Sequence, residues 1–131
     1  MTDIELVTEL YAAFDRGELA SVQHHIAEDF VLDQPEHLPW SGRYYGPNGF
    51  LAFFATLAEH IDTRIETEQI FDAGGTIVQL GYTVGTVRAN GAAFRSREVH
   101  LLTVRDRQLL RYRAFVEVPV MLAALGAGVG R

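Results

Sequence analysis

The chain has 131 residues, 48% of them apolar, a net charge of −6, no cysteine and only arginine as its basic side chain. That length suits one domain spanning 1–131. Disulfides, thiolate metal sites, cysteine nucleophiles and lysine Schiff bases are excluded, and the scattered acids argue against nucleic acid as a partner.

Residues 3–15 place Ile4, Leu6, Val7, Leu10, Tyr11 and Phe14 at helical spacing on one stripe. Thr2 or Asp3 can cap the start, and Gly17 ends the helix. A short second helix is expected over Leu19 to Ala27. Phe30 to Gln34 reads as a strand stopped by Pro35. Pro35 to Pro47, with Pro39, Gly42 and Gly46 inside, reads as a loop. A third helix is expected from Pro47 to His60, burying Phe50, Leu51, Phe53, Phe54 and Leu57. From Thr63 the period changes to two. Strands are expected at Thr63 to Phe71, Thr76 to Arg88, Phe94 to Arg105 and Leu109 to Val118. Ala73-Gly74-Gly75, Ala89-Asn90-Gly91 and Asp106-Arg107 supply their turns. A short helix, Val120 to Leu125, and a frayed glycine-rich end, Gly126 to Arg131, complete the reading. No run reaches the ~20 apolar residues of a membrane span. The acidic start does not read as a signal peptide, so a cytoplasmic protein is expected.

Three segments in this order resemble a known family. ELYAAFDRGELASVQHHIAEDFVLDQP is similar to its opening helix, glycine turn, short helix and first strand. LPWSGRYYGPNGFLAFFATLAEHI is similar to the stretch that closes its pocket and starts the third helix. EVHLLTVRDRQLLRYRAFVEV resembles its last hairpin, with Arg107 where members usually have glycine. The chain thus resembles the SnoaL-like, ketosteroid-isomerase-like proteins of the nuclear-transport-factor-two-like superfamily. The resemblance implies an α+β cone. Three N-terminal helices would pack on a strongly curved, mostly antiparallel sheet that encloses one apolar pocket. It also implies a homodimer through the convex face, where Val99, Leu101 and Phe115 fall.

Strand alternation nominates the pocket side chains. Ser96, Glu98, His100, Leu102 and Val104 share one face of their strand, opposite Arg95, Arg97 and Arg105. Leu110, Tyr112, Ala114 and Val116 form the matching set of the last strand. Val78, Leu80, Tyr82 and Val84 are the more apolar set of the strand before. Leu32 and Gln34 share a face of the first.

His100 is the candidate acid/base, because an imidazole titrates near neutral pH. With a last turn one residue shorter, it matches the hydrogen-bonding aspartate of steroid isomerases. Glu98, two residues before it, could orient it or act as a base with a raised pKa, or instead pair with Arg95 or Arg97 in solvent. Gln34 stands where those isomerases carry their proton-shuttling aspartate; an amide cannot abstract a proton. It could hold a substrate oxygen. Asp33 points to the opposite face, which weakens an epoxide-hydrolase reading. Tyr11 is the first-helix tyrosine at the pocket wall, and Tyr82 and Tyr112 are expected beside it. Trp40 and Tyr45 are placed at the mouth, with Leu32, Phe54 and Leu102 against a ligand. The histidine spacing offers no metal site, and no cofactor is expected. The expected function is proton-transfer chemistry on a small, largely apolar carbonyl or polyketide-like molecule. The competing expectation is a non-catalytic binding or dimerisation module.

Overall fold

Thr2 starts the first helix through a reciprocal cap: its hydroxyl accepts the Glu5 N–H, and the Glu5 carboxylate accepts the Thr2 N–H. In this computed structural model, described over residues 1–126, helix α1 runs Asp3–Arg16 and ends on Gly17, whose φ of 70° is left-handed. A 3-10 helix, Leu19–His25, leads directly into strand β1, Ile26–Gln34. Strand β2, Gly42–Tyr45, and helix α2, Gly46–His60, follow. Four strands come next: β3 (Ile61–Asp72), β4 (Thr76–Val87), β5 (Ala93–Arg105) and β6 (Gln108–Val116). Helix α3, Val118–Leu125, ends the described chain, capped by Gly126. The expected frayed end lies, from 127 on, outside the described residues.

All six strands form one curved sheet in the order β2-β1-β6-β5-β4-β3. Only β1 and β6 pair in parallel; the other neighbours are antiparallel. Irregular registers at Thr67/Gln69 and Thr103/Val104 bend the ladder. Helix α2 packs on β1 and β3, α1 on β3 and β4, and α3 on β5. Leu6, Val7, Phe30, Phe50, Ile61, Leu102, Leu109 and Met121 fill the core between helices and sheet. The architecture is the expected α+β cone. No described helix is long and apolar enough to cross a membrane.

Two expectations need correction, and the turn expected at Asp106-Arg107 is present. The segment expected as a loop contains β2, a short edge strand whose Arg43 pairs with Asp33 of β1. The first strand begins at Ile26, so the helix before it stops at His25. At the β5–β6 turn Asp106 and Arg107 both have positive φ, 52° and 62°. Two left-handed residues make the tight hairpin turn whose twist suits the flanking strands. Arg107 therefore adopts a conformation that glycine reaches without strain.

Candidate active site

A cavity of about 60 Å³ lies between the helices and the concave face, room for roughly four waters or one small ring. Trp40, Phe50, Phe53, Phe54 and Leu102 supply apolar wall. Tyr11, His100, Tyr112, Thr63, Thr83 and Gln34 supply the polar groups. Among the described residues, no aspartate, glutamate or arginine lines it.

The polar end is built on β5 and its neighbours. His100 is buried mid-strand, level with Ala114 of β6 and Gln79 of β4. The Tyr11 hydroxyl, brought by α1, lies 2.6 Å from His100 Nδ1. The Tyr112 hydroxyl lies 3.0 Å from the same atom and 3.3 Å from Nε2. An unprotonated Nδ1 can accept only one of these two hydroxyls. The other keeps its hydrogen for its neighbour or for a molecule in the cavity.

Behind His100 stands Glu98, 1% exposed. One carboxylate oxygen accepts a short hydrogen bond from the Thr83 hydroxyl. The other, Oε2, lies 3.4 Å from His100 Nδ1 and makes no hydrogen bond. Gln79 Oε1, also buried, has no donor either. Two unsatisfied acceptors in one buried patch cost less when a proton is present.

Burial dictates the charges. Desolvation pushes Glu98 up to about 7, although hydrogen bonds from Thr83 and Gln79 pull the other way. Desolvation alone pulls His100 down to about 3. Tyr11 and Tyr112 are held well above the ordinary tyrosine value, again mainly by burial. At neutral pH the site holds a neutral imidazole, two neutral phenols and a carboxyl near its midpoint.

The structure brings His100, Tyr112, Tyr11, Gln34, Trp40, Phe54 and Leu102 to one cavity, with Glu98 behind them. Leu32 is fully buried in the core but does not line the cavity. Two expected contacts lie elsewhere. Tyr82 stands on the opposite face, under the guanidinium groups of Arg95 and Arg97 at 3.8 and 4.7 Å. It does so because β4 turns Ile77, Gln79, Gly81 and Thr83 inward, not the more apolar set. Tyr45 is 62% exposed on edge strand β2, while its neighbour Tyr44 packs against Phe53. Asp33 is held by Arg43 at 2.7 Å and Arg111 at 2.9 Å on the outer face. Leu109, rather than Leu110, reaches the cavity, displaced by the irregularity at Thr103/Val104.

Sequence reasoning missed Gln79, Gly81 and Thr83. A usable signal existed: residues paired across antiparallel strands share a face. The turn Ala89-Asn90-Gly91 sets β4 against β5, with Gln79 opposite His100, Gly81 opposite Glu98 and Thr83 opposite Ser96. Once His100 and Glu98 are inside, their partners must be.

No curated protein matches the chain. Solved structures do. An NTF2-like protein from Burkholderia thailandensis is 25% identical with a TM-score of 0.88, over 95% of this chain and 98% of that one. TerC, crystallised with polyporic acid, is 19% identical with a TM-score of 0.84, over 95% and 98%. A protein of ketosteroid isomerase-like fold from Catenulispora acidiphila, in complex with trimethylamine, is 17% identical with a TM-score of 0.81, over 96% and 95%. Residues 7–112 match the SnoaL-like domain family, and the chain belongs to it.

Proposed function

We propose that this protein is a cofactor-independent acid/base enzyme acting on a small, largely apolar carbonyl compound. The observation that carries the reading is a buried His100 set in the cavity wall, with two tyrosine hydroxyls on its ring and Glu98 behind it. In this reading His100 takes a proton from carbon next to the carbonyl. The proton enters at Nε2, the Nδ1–H passes its own proton to the ionised Glu98 carboxylate 3.4 Å away, and a tyrosine hydroxyl donates to the developing enolate oxygen. The dry cavity strengthens that hydrogen bond. The accepting form needs an ionised Glu98, so the rate should rise as pH passes about 7.

The test is deuterium uptake from heavy water into cyclohexanone and indanone, followed by NMR. Wild type should catalyse exchange, and Glu98→Gln should lose roughly 100-fold while still folded. No exchange from compounds that bind, or an unimpaired Glu98→Gln, would overturn the reading.

A second reading, a binding module without catalysis, is favoured by Gln34 standing where a carboxylate base would be needed and by His100 spending its bonds on protein hydroxyls. Binding without exchange in the same assay selects it. In either case Phe115, 45% exposed beside half-buried Val99 and Leu101 on the convex face, would be covered in the proposed homodimer.

A further inference from the structure

Pairing of the strands sets a row of inward residues across the sheet. His100 is level with Ala114, and Leu32 and Asp33 are level with Tyr112 and Arg113. One step further along the parallel pair brings Gln34 level with Ala114. Neighbouring strands lie roughly 5 Å apart, so Gln34 and His100 flank Ala114 at a backbone separation of roughly 10 Å. All three line the cavity.

Ala114 is the smallest side chain of that row, so the floor between the two polar residues is low. Gln34 is paired with Gly42 in the β1–β2 ladder, but its side-chain amide makes no hydrogen bond among the described residues. An amide facing an apolar cavity therefore has a donor and an acceptor unspent. Phe50, Phe53, Phe54 and Trp40 offer flat apolar wall around it.

We infer that the cavity takes an uncharged single-ring molecule lying over Ala114, with one oxygen function on His100 and its tyrosines and another on Gln34. The inference rests on the proposed reading of this cavity as a ligand site. It adds two specificity-determining residues, Gln34 for the second oxygen and Ala114 for the width of the ring. Charge is rejected because, among the described residues, no ionised side chain lines the cavity to pair with it, and the carboxyl of Glu98 lies just behind the wall. A ring without its second oxygen leaves Gln34 unpaired, and a site with an idle polar group discriminates against such a ligand.

Three probes of nearly one shape separate these terms: para-hydroxyacetophenone, acetophenone and para-acetylbenzoate. Each is titrated calorimetrically into the full chain at neutral pH. The indole N–H NMR signal of Trp40, the single tryptophan, locates binding in the cavity. The hydroxylated ketone should bind about tenfold tighter than acetophenone, and the benzoate should not bind measurably. Gln34→Leu should erase the preference for the hydroxyl, by weakening the hydroxylated ketone and tightening acetophenone, which no longer leaves an amide unpaired. Ala114→Leu should abolish binding of both ketones; Ala114→Val serves if the larger residue prevents folding. The inference is overturned if the benzoate binds as tightly as the hydroxylated ketone. It is equally overturned if Gln34→Leu leaves the preference intact, or if no probe moves the Trp40 signal. Probes binding in the stated order without deuterium exchange would sink the proposed catalysis and leave this inference standing. Exchange without discrimination by Gln34→Leu would do the reverse.

Discussion

Glu98→Gln is expected to gain stability over wild type by about 3 kcal/mol as pH rises from 4.5 to 7. The folded pKa of Glu98, about 7, lies above its ordinary 4.5. Folding therefore favours the protonated carboxyl, and wild type loses stability as pH rises through that interval. His100 works in the opposite direction: its folded value, about 3, lies below 6.5. Its burial costs stability as pH falls from 6.5 toward 3. Between pH 4.5 and 6.5 the two slopes cancel in wild type. The unfolded pair holds its one proton on histidine, and the folded pair holds one proton on Glu98. The variant keeps only the histidine term, so its stability should fall by a little over 1 kcal/mol per unit toward acid. Subtracting wild type removes the surface ion pairs common to both proteins. Urea denaturation at several pH values measures the difference. Parallel profiles would mean that Glu98 keeps an ordinary pKa in the fold.

Gly81→Ala should cost about 3 kcal/mol or more and lower Tm by on the order of 10 °C. A Cβ at Gly81 would come within 2.0 Å of the Glu66 carbonyl oxygen, closer than any real contact. That oxygen belongs to the backbone of β3 beside its irregular register at Thr67/Gln69, so no side chain can rotate away. Gly81 also lies level with Glu98, and the lack of a side chain there leaves the carboxyl its space. Gly74→Ala is the control: it has left-handed φ of 83° but no atom within 4 Å of the new methyl. It should lose only about 1 kcal/mol from backbone strain. Equal losses in the two variants would show that close approach is not what requires glycine at Gly81.

The order of helices and strands was legible because each element has a strong local cue. α1 has its 3.6-residue stripe and its capping pair, and β5 alternates strictly, with all its arginines on one face and the buried set on the other. β2 was not legible: a short edge strand among prolines and glycines is held by its partner β1 rather than by its own composition. The facing of β4 failed for a reason tied to the site. Apolar content pointed Val78, Leu80 and Tyr82 inward, but the concave side of β4 carries Gln79 and Thr83, which serve the Glu98 carboxyl. Tyr82 is tolerated outside because two arginines cover its ring. A local rule broken at a polar site is where sequence patterns are expected to mislead. His100 and Glu98 were legible for the opposite reason, as the two titratable residues of an inward set that otherwise holds Phe94, Ser96, Leu102 and Val104. Their contact with Tyr11 was not, because it joins residues 89 positions apart.

At the heart of the site stands a neutral His100 backed by a carboxyl that holds its proton into the neutral range. An NMR titration of nitrogen-15 in the histidine rings and carbon-13 in the glutamate carboxyls, with Glu98→Gln for assignment, tests this directly. The expected result is a Glu98 midpoint near 7 and a His100 ring that stays neutral, in one tautomer, down to about pH 4. A His100 that gains its proton near 6.5 while Glu98 loses its own near 4.5 would contradict it.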